Sequence, residues 1–389
     1  MLKGATGSAE QRGQSRIKFG QRQPGSRAAF FCATTSRISY LHNMASIIIC
    51  IRHKPKTLMH KSPLVVFILF ALALLDLSSS ALAAQAAAPK DAPSQEVQAK
   101  PPPPSADMIK ALIARTKPNL AYLPGGTFEM GDWGGPSGLP YDYERDSKPL
   151  HKVTLGGFSM MKYKVSYADF DLFTAAKGLP KVNTREVAKD YRLPDFPAGV
   201  SWYGAKAYCQ WLGELTQLPF DLPTEAQWEY AARSGGKKLI YPTDTGDVVY
   251  GRNAPSYEQR KALAGERTAL TIPIGKFPPN PAGIYGMGEL AAEWVNDWYD
   301  PKYYSYSPSL NPTGPATGKH KAQRGCFGSI DFAGMVFLRG DAPPQLLDKT
   351  STYHPESHTW TEVKFPYEGY SSLRTDTFRC AIQKTTPVD

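Results

Sequence analysis

Acidic side chains are almost absent from the first 84 residues, which contain two of the 35 Asp and Glu residues but 11 of the 45 Lys and Arg residues. The remainder of the chain carries 34 basic and 33 acidic side chains, so the formal net charge of +10 belongs almost entirely to the amino-terminal part. A nucleic-acid-binding surface needs a basic patch that neutralises phosphates. Because the remainder has no such excess, the sequence argues against a nucleic-acid partner.

A hydrophobic run long enough to span a bilayer is also lacking. The longest apolar stretch, residues 64–75, has about a dozen residues, where roughly 20 are needed. His60 and Lys61 precede this run, and small residues up to Ala83 follow it. This order is typical of a secretory signal peptide at residues 59–83, cleaved after Ala83 or nearby. We therefore expect a periplasmic or secreted protein, for which an uncleaved signal segment would be the one membrane contact.

Two further amino-terminal segments are expected to lie outside the folded domain. Residues 1–58 look like upstream sequence translated from too early a start, with Met59 as the better initiator. Residues 84–118 are rich in Ala, Pro and Lys, a composition that cannot bury a core and favours an extended linker. A short helix over residues 107–115 is the one regular element that this segment could form. The folded domain is predicted at residues 119–389.

Signals for regular secondary structure are sparse in residues 119–389, which are dense in Gly and Pro and show no internal repeat. Three helix starts are indicated by Ser166, Ser201 and Thr224, whose hydroxyls can accept hydrogen bonds from the first turn. Gln227 completes a capping box with Thr224. The remaining sequence favours short strands and long loops, so we predict an α+β fold that needs additional staples such as a metal ion or a disulfide.

Cysteine is scarce. Of the five in the chain, Cys209, Cys326 and Cys380 follow the predicted signal peptide. An odd number in an exported protein predicts one disulfide and one remaining thiol. The sequence by itself leaves all three pairings open.

Short motifs spread over residues 121–382 carry the most specific signal. In chain order they are LPGGTFEMG at 123–131, PLHKVTL at 149–155, YKVS at 163–166, GVSW at 199–202, AYCQWL at 207–212, LPTEAQWEYAAR at 222–233, PPNP at 278–281, EW at 293–294 with DWY at 297–299, RG at 324–325 and FRCA at 378–381. Each motif alone is a weak signal. Together, in this order, they resemble the formylglycine-generating enzyme, or sulfatase-modifying factor, family.

The resemblance implies a compact domain of C-type-lectin-like architecture with little regular secondary structure, usually holding calcium. The family includes copper-dependent oxidases that convert a sulfatase cysteine to formylglycine, proteins of siderophore maturation, and members without evident catalysis. One periplasmic group regulates the threonine-phosphorylation pathway of type VI secretion. Function therefore has to be argued from the site rather than from membership.

Copper is not expected. The oxidases need two cysteines shortly after an Arg-Gly-Gly-Ser-aromatic segment, because two thiolates hold copper(I). Here the corresponding positions fall near Ile330 and Met335, and neither side chain supplies a thiolate. The family pattern also implies a structural disulfide between Cys209 and Cys380. That pairing leaves Cys326 either as a reactive thiol or as a small buried apolar residue, and formylglycine formation is not expected.

An iron site is not expected either. Iron-dependent relatives use a His-x-x-x-His-x-Glu cluster in a separate helical domain. His354 and His358 have the histidine spacing, but Glu356 lies between them and Glu362 lies beyond them. Two such histidines can share a metal only on a helix, and this stretch shows no helical pattern. We expect it to be a solvated loop.

Calcium is the cofactor that the resemblance implies, as a structural ion. One family site would use the carboxylate of Glu293 and the carbonyl oxygens of Glu289 and Ala291, with Gly286 at the first ligand position. Calcium takes six to eight oxygens, so a missing carboxylate at that position weakens the site. The alternative for Glu293 is a buried acid hydrogen-bonded to backbone amides.

A second calcium site would begin at Asn253 and Ala254. The acidic stretch that the family has next is replaced by basic residues between positions 260 and 267. Calcium is therefore expected to bind here less well than at Glu293.

Residues other than a cysteine pair could carry catalysis in the cleft where the oxidases of the family act. The candidates are Cys326, Arg324, Arg339 and Asp341. The aromatic residues between positions 294 and 306 could line a binding pocket, but we favour core packing for the tryptophans. Residues 341–374 are the largest departure from the family. Long insertions are where new function tends to lie, so we expect this segment to contact a partner.

Three functions remain open. The loss of the cysteine pair favours a non-catalytic or regulatory periplasmic protein of envelope signalling or secretion, with an envelope protein as partner. The second is an oxidoreductase of this family acting on a peptide or small molecule. The third is a glycan-binding module that uses the aromatic face.

Overall fold

The computed structural model describes residues 100–388 except 143, 185–187, 190, 265–270, 290, 326–333, 346–348, 355–358, 365–368 and 374. The α-helices of this part of the chain are α1 (Ala106–Thr116), α2 (Tyr167–Ala176), α3 (Trp202–Thr216), α4 (Glu225–Ala232) and α5 (Tyr257–Ala264). None of these helices is long and apolar enough to cross a membrane.

Twelve short strands lie in the same described residues. They are β1 (Leu120–Leu123), β2 (Gly126–Met130), β3 (His151–Leu155), β4 (Phe158–Met161), β5 (Phe220–Asp221), β6 (Ala292–Trp298), β7 (Lys321–Arg324), β8 (Arg339–Ala342), β9 (Lys349–His354), β10 (Thr359–Lys364), β11 (Asp376–Thr377) and β12 (Ala381–Ile382). Two four-stranded sheets have the orders β1-β4-β12-β5 and β11-β6-β7-β8, and β2-β3 and β9-β10 form two ribbons. The predicted α+β class with little regular secondary structure is confirmed.

The three predicted helix starts are present. The hydroxyls of Ser166 and Ser201 accept hydrogen bonds from the amide three residues further on, at 3.2 and 3.3 Å. Thr224 and Gln227 form the capping box, with the Gln227 amide 3.2 Å from Thr224 Oγ1 and the Thr224 amide 2.9 Å from Gln227 Oε1. These bonds satisfy first-turn amides that have no partner inside the helix.

Two buried clusters form the core. One gathers apolar side chains of α1, α2 and α3, including Tyr208, around Phe378. The other lies between the β2-β3 ribbon, α4 and the β6-β7 strands, and includes Trp228 and Phe337. Helix α4 therefore packs directly against the sheet that carries β6, β7 and β8.

Helix α1 confirms a short helix at residues 107–115, but it corrects the linker predicted at residues 84–118, because this helix belongs to the folded domain. Ser105 caps the helix by accepting a hydrogen bond from the Met108 amide at 3.2 Å. Leu112 is 2% exposed and packs in the first cluster. Residues 106–118 thus belong to the folded domain, because an amphipathic helix can bury one face even beside a Pro-rich segment.

A hairpin within residues 341–374 corrects the loop predicted around His354. Strands β9 and β10 pair antiparallel, with His354 opposite Thr359. Glu356 and His358 lie outside the described residues. Since His354 is in a strand, it does not have the helical placement that a shared iron site of this spacing requires.

Candidate functional site

Two of the three cysteines after residue 84 are bonded to each other. Cys209 on α3 and Cys380 just before β12 form a disulfide, which is the pairing that the resemblance implies. Cys326 and Ile330 lie outside the described residues, and Met335 packs against the second cluster. Cys380 is therefore already oxidised and cannot form a thiolate pair with Cys326.

A buried ion-pair network joins helix α4 to the β6-β7-β8 sheet. Arg324 contacts Glu229 at 2.8 Å (Nη2–Oε2) and Glu225 at 3.0 Å (Nη1–Oε1). Arg339 binds both oxygens of Glu225, at 2.7 Å (Nε–Oε1) and 3.0 Å (Nη2–Oε2). Arg233 lies 3.0 Å from Glu229. All five side chains are at most 2% exposed.

The network determines what Arg324 and Arg339 can do. Burial raises the pKa of Glu225, but the charges of Arg339 and Arg324 outweigh it and hold the pKa below its ordinary value. Glu225 therefore stays ionised and paired. Two of the four predicted catalytic candidates, Arg324 and Arg339, thus connect α4 to the sheet through buried ion pairs.

An open cleft of about 420 Å³ lies beside the same sheet. It is lined by Tyr299, Asp300, Pro301, Pro315, Thr317, Lys319 and His320. In the β6-β7 pairing, Trp298 is opposite Lys321 at this end, and Glu293 is opposite Arg324 at the other end. The cleft is therefore at the Lys321 end of β7 and not at the Arg324 end.

Asp341 on β8, a predicted catalytic candidate, contacts His320, which lines this cleft. Its Oδ2 is 2.5 Å from Nδ1 of His320, and the two side chains are 31% and 37% exposed. Because Nδ1 faces a carboxylate, Nε2 is the ring nitrogen left for a ligand in the cleft. A carboxylate-oriented imidazole of this kind can take up or release a proton.

His320 was missed by the sequence analysis. Its position directly before the strand that leads to Arg324 is the only sequence signal, and nothing nearby in sequence indicates Asp341, which is 21 residues further on. Their contact depends on the β7-β8 pairing, in which Ala322 is opposite Asp341.

Tyr299 links the cleft to the loop before β3. Its hydroxyl donates to Asp146 Oδ2 at 2.5 Å, and the Asp146 carbonyl accepts from Arg339 Nη1 at 2.8 Å. Burial raises the pKa of Asp146 to about 7, against the charge of Arg339. Burial, together with Asp146, also raises the pKa of Tyr299. The Tyr299 phenol therefore stays protonated and acts as a donor.

Two of the three donors predicted for calcium at Glu293 already have cationic partners. Both Glu293 oxygens contact the guanidinium of Arg379, and the Ala291 carbonyl accepts from the ammonium of Lys164. Glu293 is thus a buried acid, as its alternative interpretation holds, but its partner is a guanidinium rather than backbone amides. These residues, as arranged, do not fit a calcium ion.

The second predicted site has a different arrangement. Asn253 Oδ1 accepts from the Val249 amide at 2.7 Å, and its Nδ2 donates to Asp244 at 2.7 Å. The Ala254 carbonyl accepts from the Gly251 amide at 2.8 Å. These groups brace their own loop. Within the described ranges, no group of three or more His, Cys, Asp and Glu residues is placed to hold a metal.

Trp294 and Trp298 pack inside the domain, as the sequence analysis favours. Trp294 is buried and its indole donates to the Val200 carbonyl at 2.7 Å. Trp298 stacks on Trp202, and the Lys321 ammonium lies 3.8 and 3.9 Å from the two ring centroids. This part of the aromatic cluster therefore fastens α3 to the sheet.

Tyr370, near the end of the predicted insertion, also belongs to the core. Its ring stacks on Phe173 with centroids 5.9 Å apart, and its carbonyl accepts from the Ser201 amide at 2.9 Å.

The fold, the disulfide and the sheet with its underlying helix define an α+β domain of the formylglycine-generating type. Residues 106–364 match the family described as Sulfatase-modifying factor enzyme 1-like domain, and the chain belongs to that family. The match begins at α1, where the folded part of the described chain begins.

Similarity to known proteins covers part of their length. The chain is 31% identical over 231 residues to the serine/threonine-protein kinase pkn1 of Chlamydia pneumoniae, which is 54% of this chain and 33% of the kinase. It is 29% identical over 260 residues to the formylglycine-generating enzyme of Mus musculus, which is 55% of this chain and 66% of the enzyme. The structure of PvdO from Pseudomonas aeruginosa is 23% identical with a TM-score of 0.48, covering 68% of this chain and 94% of that chain.

Proposed function

We propose that this protein is an exported regulatory member of the family, which binds a protein partner in the cell envelope and does not oxidise cysteine to formylglycine. The observation that carries the proposal is the disulfide between Cys209 and Cys380. It leaves Cys326 as the one other cysteine after residue 84. Two thiolates are required to hold copper(I) as the oxidases do, and one thiol does not suffice.

Two observations support the regulatory and exported parts of the proposal. A relative named as a serine/threonine-protein kinase is similar to this chain over 33% of its own length. Residues 59–83 have the order of charged, apolar and small residues that signal peptides have. A domain that keeps the fold motifs but lacks the metal ligands retains its surfaces for binding.

The β9-β10 hairpin is the proposed partner-contacting element. Within the described residues, β9 and β10 pair only with each other. Each strand therefore has an outer edge whose backbone groups can pair with an added strand. We expect that replacing residues 349–364 with a short Gly-Ser linker abolishes partner capture and leaves the disulfide intact.

The oxidase question is tested by a mass-spectrometric turnover assay on the purified chain. Copper(I), oxygen and a cysteine-containing sulfatase-type peptide are supplied, and an active formylglycine-generating enzyme serves as the positive control. We expect no conversion. Conversion that disappears in Cys326→Ser would overturn the proposal, because one thiol would then suffice.

The cleft supports a second candidate, an enzyme acting on a peptide or small molecule. The specific observation is His320 at its wall, with Nδ1 of the ring 2.5 Å from Asp341 Oδ2. The same assay with a cysteine-free peptide tests it, because acid–base chemistry at His320 does not need a thiol. Turnover that is lost in His320→Gln and in Asp341→Asn, and retained in Lys319→Gln, would favour this candidate over a purely regulatory role.

A further inference from the structure

We propose that Lys164, next to the Glu293–Arg379 ion pair, takes the place of the calcium ion that the family resemblance implies at Glu293, so that this part of the domain is stable without the metal. Cationic side chains already contact the Glu293 carboxylate and the Ala291 carbonyl, two of the groups expected to bind the ion. This arrangement does not depend on whether the cleft binds a ligand or the protein is an enzyme.

Arg379 forms an ion pair with the Glu293 carboxylate. Its Nε lies 2.6 Å from Glu293 Oε2 and its Nη2 lies 2.8 Å from Oε1, so one guanidinium uses both oxygens. Both side chains are fully buried. A bidentate pair of this kind is the strongest arrangement of these two groups, and it leaves Glu293 no oxygen directed elsewhere.

Lys164 contacts the main-chain oxygen that was expected to bind calcium, the Ala291 carbonyl. Its ammonium donates to the Ala291 carbonyl at 3.0 Å, and the residue is 3% exposed. A cation therefore already lies against the carbonyl oxygen that the family resemblance assigns to calcium. A buried ammonium needs such oxygen partners, because without them it would lose its hydration without compensation.

At the first ligand position the chain has a glycine with a neighbouring carboxylate against it. Gly286 has φ +67°, and a Cβ there would lie 2.8 Å from Glu289 Oε2. A ligand side chain at position 286 would therefore have to displace the Glu289 carboxylate. A calcium ion would have to collect six to eight oxygens here beside two fixed positive charges, which repel it.

The two cations also supply the crosslinks that a structural ion would supply. Besides Glu293, Arg379 donates to the carbonyl oxygens of Met161, Lys162 and Tyr285 at 3.2, 2.9 and 2.9 Å. It thus connects the end of β4, the turn before β6 and β6 itself. Lys164 adds a contact from the segment after β4 to the start of β6.

The test compares the thermal unfolding of the full chain in calcium and in EDTA, together with calorimetric calcium titration. For the wild type we expect the two melting temperatures to agree within about 1 °C, because an ion that does not bind the native state does not stabilise it. Lys164→Glu replaces the ammonium by oxygen donors, and we expect millimolar calcium to raise its melting temperature by roughly 5 °C or more.

Two matched variants make the outcome specific. Lys162→Glu makes the same substitution two residues away, where the ammonium contacts the Pro118 carbonyl outside the cluster, and it should gain no calcium response. Asn253→Ala removes the second predicted site and identifies any calcium bound there. The proposal is overturned if the wild type binds calcium and Asn253→Ala binds it equally, or if Lys164→Glu responds no more than Lys162→Glu. Should Lys164→Glu not fold, the wild-type titration alone decides.

Discussion

Arg339 binds both carboxylate oxygens of Glu225 at 2.7 and 3.0 Å, although the two residues are 114 positions apart in the sequence. Arg339 Nη1 also donates to the carbonyl oxygen of Asp300, a residue of the cleft wall, at 3.2 Å. The pair therefore holds α4 to β8, and Arg339 also fixes the main chain of a residue that lines the cleft. Because both side chains are buried, each charge depends on the other for compensation.

Arg339→Leu is expected to lower the free energy of unfolding by about 3–5 kcal/mol, because it leaves the Glu225 carboxylate buried with less compensation. The matched control is Arg115→Leu, which removes an exposed guanidinium paired with Asp169 and should cost less than about 1 kcal/mol. Urea unfolding followed by tryptophan fluorescence measures both. Equal losses in the two variants would contradict a special role for the buried pair.

The Cys209–Cys380 disulfide closes a long stretch of chain, with a sequence separation of 171 between its cysteines. Replacing both by Ser is expected to cost about 4–5 kcal/mol, since the crosslink restricts the unfolded chain. Cys326→Ser is the control and should keep the disulfide. Peptide mapping without reduction checks the pairing, and a bridge that includes Cys326 would refute it.

Asp146 is expected to make stability depend on pH. Burial raises its pKa to about 7 in the folded chain, above the ordinary value of 3.8. The contribution of its protonated form is therefore complete below about pH 4 and is lost as the pH rises through 7. Between pH 4 and pH 8 the free energy of unfolding should fall by at most about 4 kcal/mol because of Asp146, and Asp146→Asn should remove this decrease. Urea unfolding across this range measures the slope.

Two other aspartates serve as references for that slope. Burial, with repulsion from Glu225, also raises the pKa of Asp297 to about 7, so part of the slope should persist in Asp146→Asn. The pKa of Asp300 is lowered by its hydrogen bond from Tyr306. Asp300→Asn should therefore not flatten the slope, and the idea is wrong if it flattens it as much as Asp146→Asn.

Lys321 and Trp298 are expected to be energetically coupled, because the ammonium lies 3.8 Å from the ring centroid. A double-mutant cycle with Lys321→Met and Trp298→Leu should yield a coupling of about 0.5–2 kcal/mol. Lys177 lies at the C-terminal end of α2, where its ammonium pairs with Glu214, so the effect of Lys177→Met should add independently to that of Trp298→Leu. Thermal or urea unfolding of the four-member cycle measures the coupling, and strict additivity for Lys321 would exclude it.

Features that depend on a few neighbouring residues were predictable. Ser166, Ser201 and Thr224 cap helices because the hydroxyl and the amide it accepts from are three residues apart. Leu112 shows the limit of reasoning from composition, since its helix lies beside a run of prolines and was assigned to a linker. That short helix buries its apolar face only when the tertiary structure places α2 against it.

The sequence by itself determined the family, the helix starts and the absence of a second thiol near Cys326. Only the tertiary structure decided that Arg324 and Arg339 are buried in ion pairs, that His320 meets Asp341, and that Lys164 lies on the Ala291 carbonyl. The physical reason is the range of the interactions. A cap is closed within one helical turn, whereas the partner of a buried charge is selected by which distant segments pack together, since a charge removed from water must find compensation wherever the fold brings it.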